Sequence, residues 1–432
     1  TEDGKTITLH FWGGVQPEYG YDDMCANFNE EYKDKGLQVE YVRYVNDDNG
    51  NLQLETYLMG GGDVDLFIGY GGRTKMDKRV DSNLLLDMSG MLNDIGFNLD
   101  DELGVANMAE YHYDDGAVYG FPTKYENSRW ILINEDMFKE AGLDIPYDGW
   151  TYSEFLADAE KLTHGEDQDK VYGVCWARKQ SGKSILYALD GVLGANQIYK
   201  NEEGTEVNFD NDVYRAGFNL VKETLDKGYA IPIEDEFSED ISVANTFLQG
   251  KCAIMLGVAQ MRLCMDQENY PHDFTTALVP APVPDDEKYN TEFYRKQIGT
   301  TGAGDLLSIS ANTKYPEASF EFAMWYLKGG MSPLVQGGRI PLWNGVNKDE
   351  VLSVLKEKAQ GSIDMDSMEN YLSLDTTQGV AAIKGHASSE ISSAWFEEFD
   401  AMCYGKQSVD QTVQNMEKRG NELIQTELSS QK

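Results

Sequence analysis

The chain has 432 residues, with Lys+Arg 36 against Asp+Glu 74, a formal net charge of −38 that repels nucleic acid and anionic lipid surfaces. Domains usually run to between about 50 and 250 residues, so this length predicts two lobes. The cysteines (Cys25, Cys175, Cys252, Cys264, Cys403) are odd in number and without C-x-x-C spacing, so neither a disulfide framework nor a zinc site is indicated, and no stretch approaches the ~20 apolar residues of a membrane helix.

In chain order, Ile7 to Trp12 alternates as a strand, and Gly13-Gly14 after it makes a turn that lets backbone approach a ligand closely. Tyr21 to Tyr32 carries Met24, Cys25, Phe28 and Tyr32 at helical spacing; Leu37 to Val45 alternates as a strand; Leu52 to Met59 reads as a helix and Val64 to Ile68 as a strand. This order of strands and helices predicts a parallel, doubly wound sheet. Ala117 to Phe121 is a strand stopped by Pro122, and Trp130 to Ile133 is another. Asn134 N-caps a short helix with Glu135 and Asp136 in its first turn and Gly142 beyond its end. Thr151-Tyr152-Ser153-Glu154 fits a capping box, and Trp150 is placed to staple onto Phe155.

Further on, Gly173 to Trp176 reads as a strand and Ser184 to Leu193 as a helix. Asn211 to Gly228 has helical periodicity, Cys252 to Leu256 is a strand, and Val279 to Pro284 is extended. Lys288 to Tyr294 reads as a solvated loop, Asp305 to Ser310 as a strand, and Asn312 or Thr313 as the cap of the next helix. Enzyme motifs fail. Gly182-Lys183-Ser184 ends like a Walker A loop, but Ala177 replaces its first glycine, and Gly302-Ala303-Gly304 has Leu307 where the third glycine belongs. The loop Asn46 to Asn51 lacks carboxylates at Val45 and Thr56, which argues against an EF-hand.

YGFP, the I-x-x-N-x-D-x-F strand and helix start, G-L-x-x-P, G-W-T-Y-x-E-F and, later, F-x-x-G-K-x-A-x-x before Gly257 closely resemble the extracellular solute-binding proteins of ABC importers, family 1, in its sugar-binding branch. The resemblance covers nearly the whole chain and is weakest between Gly194 and Asp210 and from Val346 to Gln378. It implies an α/β, two-lobe periplasmic-binding-protein-like fold, each lobe a mainly parallel sheet flanked by helices, with three interlobe crossings. We place these near Gly120 to Lys124, Ile298 to Ala303 and Arg339 to Trp343, which assigns residues 1–120 and 303–340 to an N-terminal lobe and 121–302 and 341–432 to a C-terminal lobe. The resemblance also implies capture of a mono- or oligosaccharide in the interlobe cleft, hinge closure, delivery to the permease subunits of a membrane importer, an extracytoplasmic monomer, and a signal peptide with a lipidated cysteine ahead of Thr1. No catalysis, cofactor or metal is expected.

Aromatic residues stand at the predicted strand and crossing ends: Trp12, Tyr70, Tyr125, Trp176, Trp343 and Trp395. A sugar presents a C–H face that packs on a flat ring and a rim of hydroxyls that needs planar donors and acceptors. Glu18, Lys124, Asn127, Arg178, Gln260, Arg262 and Arg339 lie near enough in sequence to supply that rim, whereas any one aromatic reads equally well as core. Trp130 and Trp150 are assigned to core and staple. Trp395, in SSAWFEEF, resembles the late-helix tryptophan that stacks on sugar in this family; Ile391 and Ala394 are expected to face the core and Trp395 to point off it. Lys124, Arg178, Arg262 and Arg339 leave open a charged ligand, a uronate-containing sugar or a glycerol-phosphate ester. A carbohydrate-cleaving enzyme stays open as another class, needing two carboxylates at fixed separation.

Overall fold

Nine strands form two sheets among the residues that the computed structural model describes, which are 6–46, 48–181, 198–296, 305–373 and 385–430. The chain divides into two compact units: Thr1–Glu126 with Thr301–Leu355, and Asn127–Thr300 with Lys356–Lys432.

In the first unit, β1 (Ile7–Gly13) lies between β2 (Leu37–Arg43) and β3 (Leu66–Gly69), parallel to both. Helices α1 (Tyr21–Glu31) and α2 (Asp48–Gly60) make the two crossovers, which is what parallel neighbours require. Beyond β3 the sheet changes sense. β9 (Leu306–Ile309) runs antiparallel to β3, and β4 (Phe121–Pro122) antiparallel to β9, giving the order β2-β1-β3-β9-β4. Both sheets are thus mixed, where a mainly parallel arrangement was expected. The physical reason is connectivity: β9 follows a long excursion through the other unit, so no crossover helix fixes its direction. The strand expected over Ala117 to Phe121 forms only at its end, and Pro122 is the last residue of β4, which an edge strand tolerates because one row of its N–H groups has no ladder partner to serve.

The second unit's sheet has the order β6 (Tyr172–Cys175), β7 (Cys252–Leu256), β5 (Trp130–Asn134), β8 (Thr276–Pro280). β6 and β7 are parallel, and β5 is antiparallel to both β7 and β8. Local signals fold as read. Asn134 Oδ1 accepts from Met137 N at the start of α3 (Glu135–Glu140). Thr151 and Glu154 complete a capping box on α4 (Tyr152–Leu162), with Trp150 5.0 Å from Phe155. The core of this unit gathers α4, α5 (Asp212–Asp226), α7 (Met365–Leu372) and, from the end of the chain, α8 (Ser388–Cys403) and α9 (Val409–Ser430).

Two caps differ from expectation. α6 (Pro316–Trp325) begins with a proline at its first turn, which needs no donor there, and Thr313 instead receives Tyr315 N and bonds Asp65. The expected loop at Lys288–Tyr294 contains a turn of helix, Glu292–Arg295, capped by Thr291 Oγ1. The helix read over Ser184 to Leu193, the loop at Gly182-Lys183-Ser184 and the link at Ile298 to Ala303 lie outside the described residues. The segment Ile340–Leu342 belongs with the first unit, where Tyr125 N donates to Ile340 O, Leu342 N to Thr123 O, and Lys124 bridges Pro341; that unit continues to Leu355.

Candidate functional site

Strand direction gathers the candidate residues onto one edge of each sheet. In the first unit, β1 and β3 end, β4 ends and antiparallel β9 begins at the same edge, since Gly69 and Pro122 both lie opposite Leu306. Glu18, Tyr70, Lys124 and Tyr125 follow those strand ends, and Asp305 precedes β9. In the second unit, β6 and β7 end and β5 begins at one edge, with Cys175 opposite Met255 and Ile131 opposite Leu256. Asn127, Trp176, Arg178, Gln260 and Arg262 stand there. Ligand loops at the carboxyl ends of strands are the general rule for open α/β sheets.

The first edge carries a charge-balanced cluster. Lys124 Nζ lies 2.7 Å from Glu126 and 3.4 Å from Asp305, whose other contact is Arg339 Nη2 at 2.7 Å. Burial opposes ionisation of Asp305, but the Lys124 ammonium and the Arg339 guanidinium outweigh it and hold the carboxyl below its ordinary value. Burial likewise favours neutral Lys124, and its two carboxylates reverse that. Tyr70 stands beside this cluster and accepts Gly14 N at 2.8 Å; burial pushes its phenol up to about 12. The loop backbone sits so close that a Cβ on Gly14 would fall 2.8 Å from the Tyr70 ring, and one on Gly13 2.6 Å from Tyr41 Oη. Glycine is required here by space. Glu18 is exposed on the short turn Pro17–Tyr19, and Tyr125 is buried.

On the second edge, Arg178 makes a two-pronged ion pair with Asp400, Nε to Oδ1 at 2.8 Å and Nη2 to Oδ2 at 2.9 Å, and its guanidinium lies 4.0 Å from the Phe396 centroid. Arg262 Nη2 donates to Gln260 Oε1 at 3.3 Å. Glu236 is fully buried behind the Ala177–Lys179 turn, accepting Lys179 N; burial raises its carboxyl to about 7 against the pull of those backbone donors.

Several expected ligand contacts are instead interior. Trp395 is 2% exposed, stacked at 10° and 4.9 Å on Phe399 and edge-on to Phe218. It therefore shares the buried face of α8 with Ile391 and Ala394 rather than pointing off it. Trp176 is buried against Phe155 with its Nε1 on Thr224 Oγ1, and Trp12 is buried beside Tyr57 with its Nε1 on Asp63 O. Trp12 lies one residue before the end of β1 and Trp176 one residue after the end of β6. Asn127 is buried in the turn before β5, where its Oδ1 accepts Arg129 N. Trp343 is half-buried, its Nε1 on Glu102 and one ring face under Gly345, whose Cβ would come within 2.2 Å. Sequence reading missed Asp305, Glu126 and Asp400. Only Glu126, two residues from Lys124, carried a local signal.

Two α/β units, each presenting polar side chains at one sheet edge, define the architecture of a binding protein for small solutes. The chain belongs to the bacterial extracellular solute-binding protein family, whose sequence model matches residues 14–328. Its fold is similar to that of a sugar transporter from Rhizobium etli in an open conformation (17% identity over 97% of this chain and 99% of that one, TM-score 0.70). It is also similar to an ABC substrate-binding protein from Listeria monocytogenes in complex with cycloalternan (16%, 98% and 100%, 0.70). The GacH receptor of Streptomyces glaucescens, solved unliganded and with acarbose, is similar as well (16%, 97% and 99%, 0.69). No described helix is long and apolar enough to cross a membrane.

Proposed function

We propose that this protein captures a neutral mono- or oligosaccharide outside the cytoplasm and delivers it to a membrane importer without turning it over. The observation that carries this reading is the neutralised charge at both sheet edges. Lys124 and Arg339 are held by Asp305 and Glu126, and Arg178 by Asp400. Such groups offer directed donors and acceptors for hydroxyls without a net charge to attract a uronate or a phosphate ester. Three of the four cations behind the charged-ligand reading are thereby accounted for. The cleaving-enzyme reading needs a carboxyl kept protonated near neutrality beside the ligand. Asp305, half-buried at the first edge, is held ionised, and Glu236, which keeps its proton to about pH 7, is fully enclosed behind the Ala177–Lys179 turn with no surface to present to a ligand. The sugars bound by the similar structures point the same way.

A lipid anchor, action as a monomer and hinge closure on binding complete the proposal. A thermal-shift screen over linear and cyclic glucans, with acarbose and a uronate-containing oligosaccharide beside them, tests it. A neutral saccharide at a hundred times its Kd should stabilise the fold by ~2.7 kcal/mol. Stabilisation by the uronate alone, or product appearing on prolonged incubation, would overturn the reading. Hinge closure predicts a smaller radius of gyration by X-ray scattering at saturating ligand.

A further inference from the structure

α1 and α6, with the turns that follow α6 as far as Gln336, flank a groove of about 1250 Å3 in the first unit. It is open and largely apolar: Ile95, 51% exposed, Val354, 36% exposed, half-buried Pro333 and buried Met324 all line it. Its aromatic rings are already engaged, Phe320 by burial. Trp325 is covered by the backbone of Gly330, where a Cβ would fall 2.3 Å from the ring, and it stacks on Phe322 at 5.9 Å and 29°. Tyr32 stacks on Phe28 at 4.3 Å and carries Lys35 Nζ 4.4 Å from its centroid. A sugar needs a free ring face, so this groove suits aliphatic side chains instead.

Charge sets the rest of the partner. Asp23 and Glu31 stand on the α1 wall, eight residues and thus about 12 Å apart along the axis, with Asn27 between. Each accepts a hydrogen bond from an uncharged donor, Asp23 from Gln336 at 3.2 Å and Glu31 from Trp325 at 2.8 Å, and neither forms an ion pair with a described residue. Glu321, by contrast, is paired with Lys35, and Lys328 lies 4.5 Å from the Phe97 ring. Two intact carboxylates beside the exposed aliphatic side chains of Ile95 and Val354 match the helix-in-groove mode of recognition.

We propose that this groove is a docking surface for a basic amphipathic helix of a partner protein. Its aliphatic side chains lie on Ile95, Met324 and Val354, and Lys or Arg residues about seven or eight positions apart reach Asp23 and Glu31. The inference is independent of the saccharide reading, because it uses none of the residues at the sheet edges.

The test is fluorescence anisotropy with a labelled model helix of about 18 residues, leucines on one face and lysines at that spacing, beside a scrambled peptide of the same composition. The patterned peptide should bind and the scrambled one at least about tenfold more weakly; D23N with E31Q, and separately Ile95→Asp with Val354→Asp, should each weaken binding about tenfold or more. All four positions are exposed, so the fold should survive, and melting temperature checks this. No binding, equal binding of the scrambled peptide, or binding unaffected by both pairs of substitutions would overturn the proposal by leaving only the bulk charge of the chain.

Discussion

Trp395 and Phe399, one turn apart on α8, lie face to face with 10° between their planes and 4.9 Å between ring centroids. This pair, closed by Phe218 from α5, joins the last part of the chain to the middle of its unit. A tryptophan so enclosed does its work in the folding equilibrium.

Trp395→Ala is therefore expected to destabilise the protein by about 3–5 kcal/mol through the cavity it leaves. Urea unfolding of the unliganded protein measures this. A variant as stable as the parent would return Trp395 to the ligand side.

Asp305→Asn leaves Lys124 and Arg339 without their shared carboxylate and is expected to destabilise by about 1.5–3 kcal/mol, the usual worth of hydrogen bonds to a charged group, since the pair is half-buried and Lys124 keeps Glu126. Adding Lys124→Met should recover part of it. The pH sign follows from the lowered carboxyl: its contribution is present above the unfolded value of 3.8 and is lost as pH falls through the lower folded value. Acid unfolding of the parent and of D305N should thus converge in the strongly acid range.

Glu236→Gln should abolish a pH dependence of opposite sign. The unfolded side chain ionises near 4.5, whereas the folded one keeps its proton to about pH 7, since burial outweighs the backbone donors and Arg178. Folding takes up a proton in that window, so stability falls as pH rises through it, by up to about 3 kcal/mol. The variant should gain on the parent between about pH 5 and about pH 8 and level off above, as read by urea unfolding at each pH. A gap that stays constant would contradict the buried carboxyl.

Thr151→Ala removes the oxygen that accepts Glu154 N and leaves the Glu154 side chain to hold the cap alone. A loss of about 0.5–2 kcal/mol is expected, with sugar affinity unchanged, because the Thr151 hydroxyl serves the start of α4. Calorimetric melting and titration with the best saccharide check the two halves.

Local features of this protein were legible in its sequence because their physics acts within a few residues. The capping box at Thr151, the Asn134 cap and the Trp150 staple each close over at most five positions, and all formed as read. The recurring motifs identified the family and its two-lobe fold, and strand order with the glycine turns placed the candidate residues near strand ends. Tertiary structure alone decided the rest. A tryptophan reads the same in sequence whether another element covers it or not, and residues of α5 cover this face of α8, so Trp395 became core. The sense of β9 was free because no crossover helix constrains a strand that returns from another unit. Above all, the charges were settled by partners distant in sequence: Arg178 meets Asp400 across 222 positions and Arg339 meets Asp305 across 34. Residue types supplied four cations for a charged ligand, and only the fold showed that three of them were already neutralised.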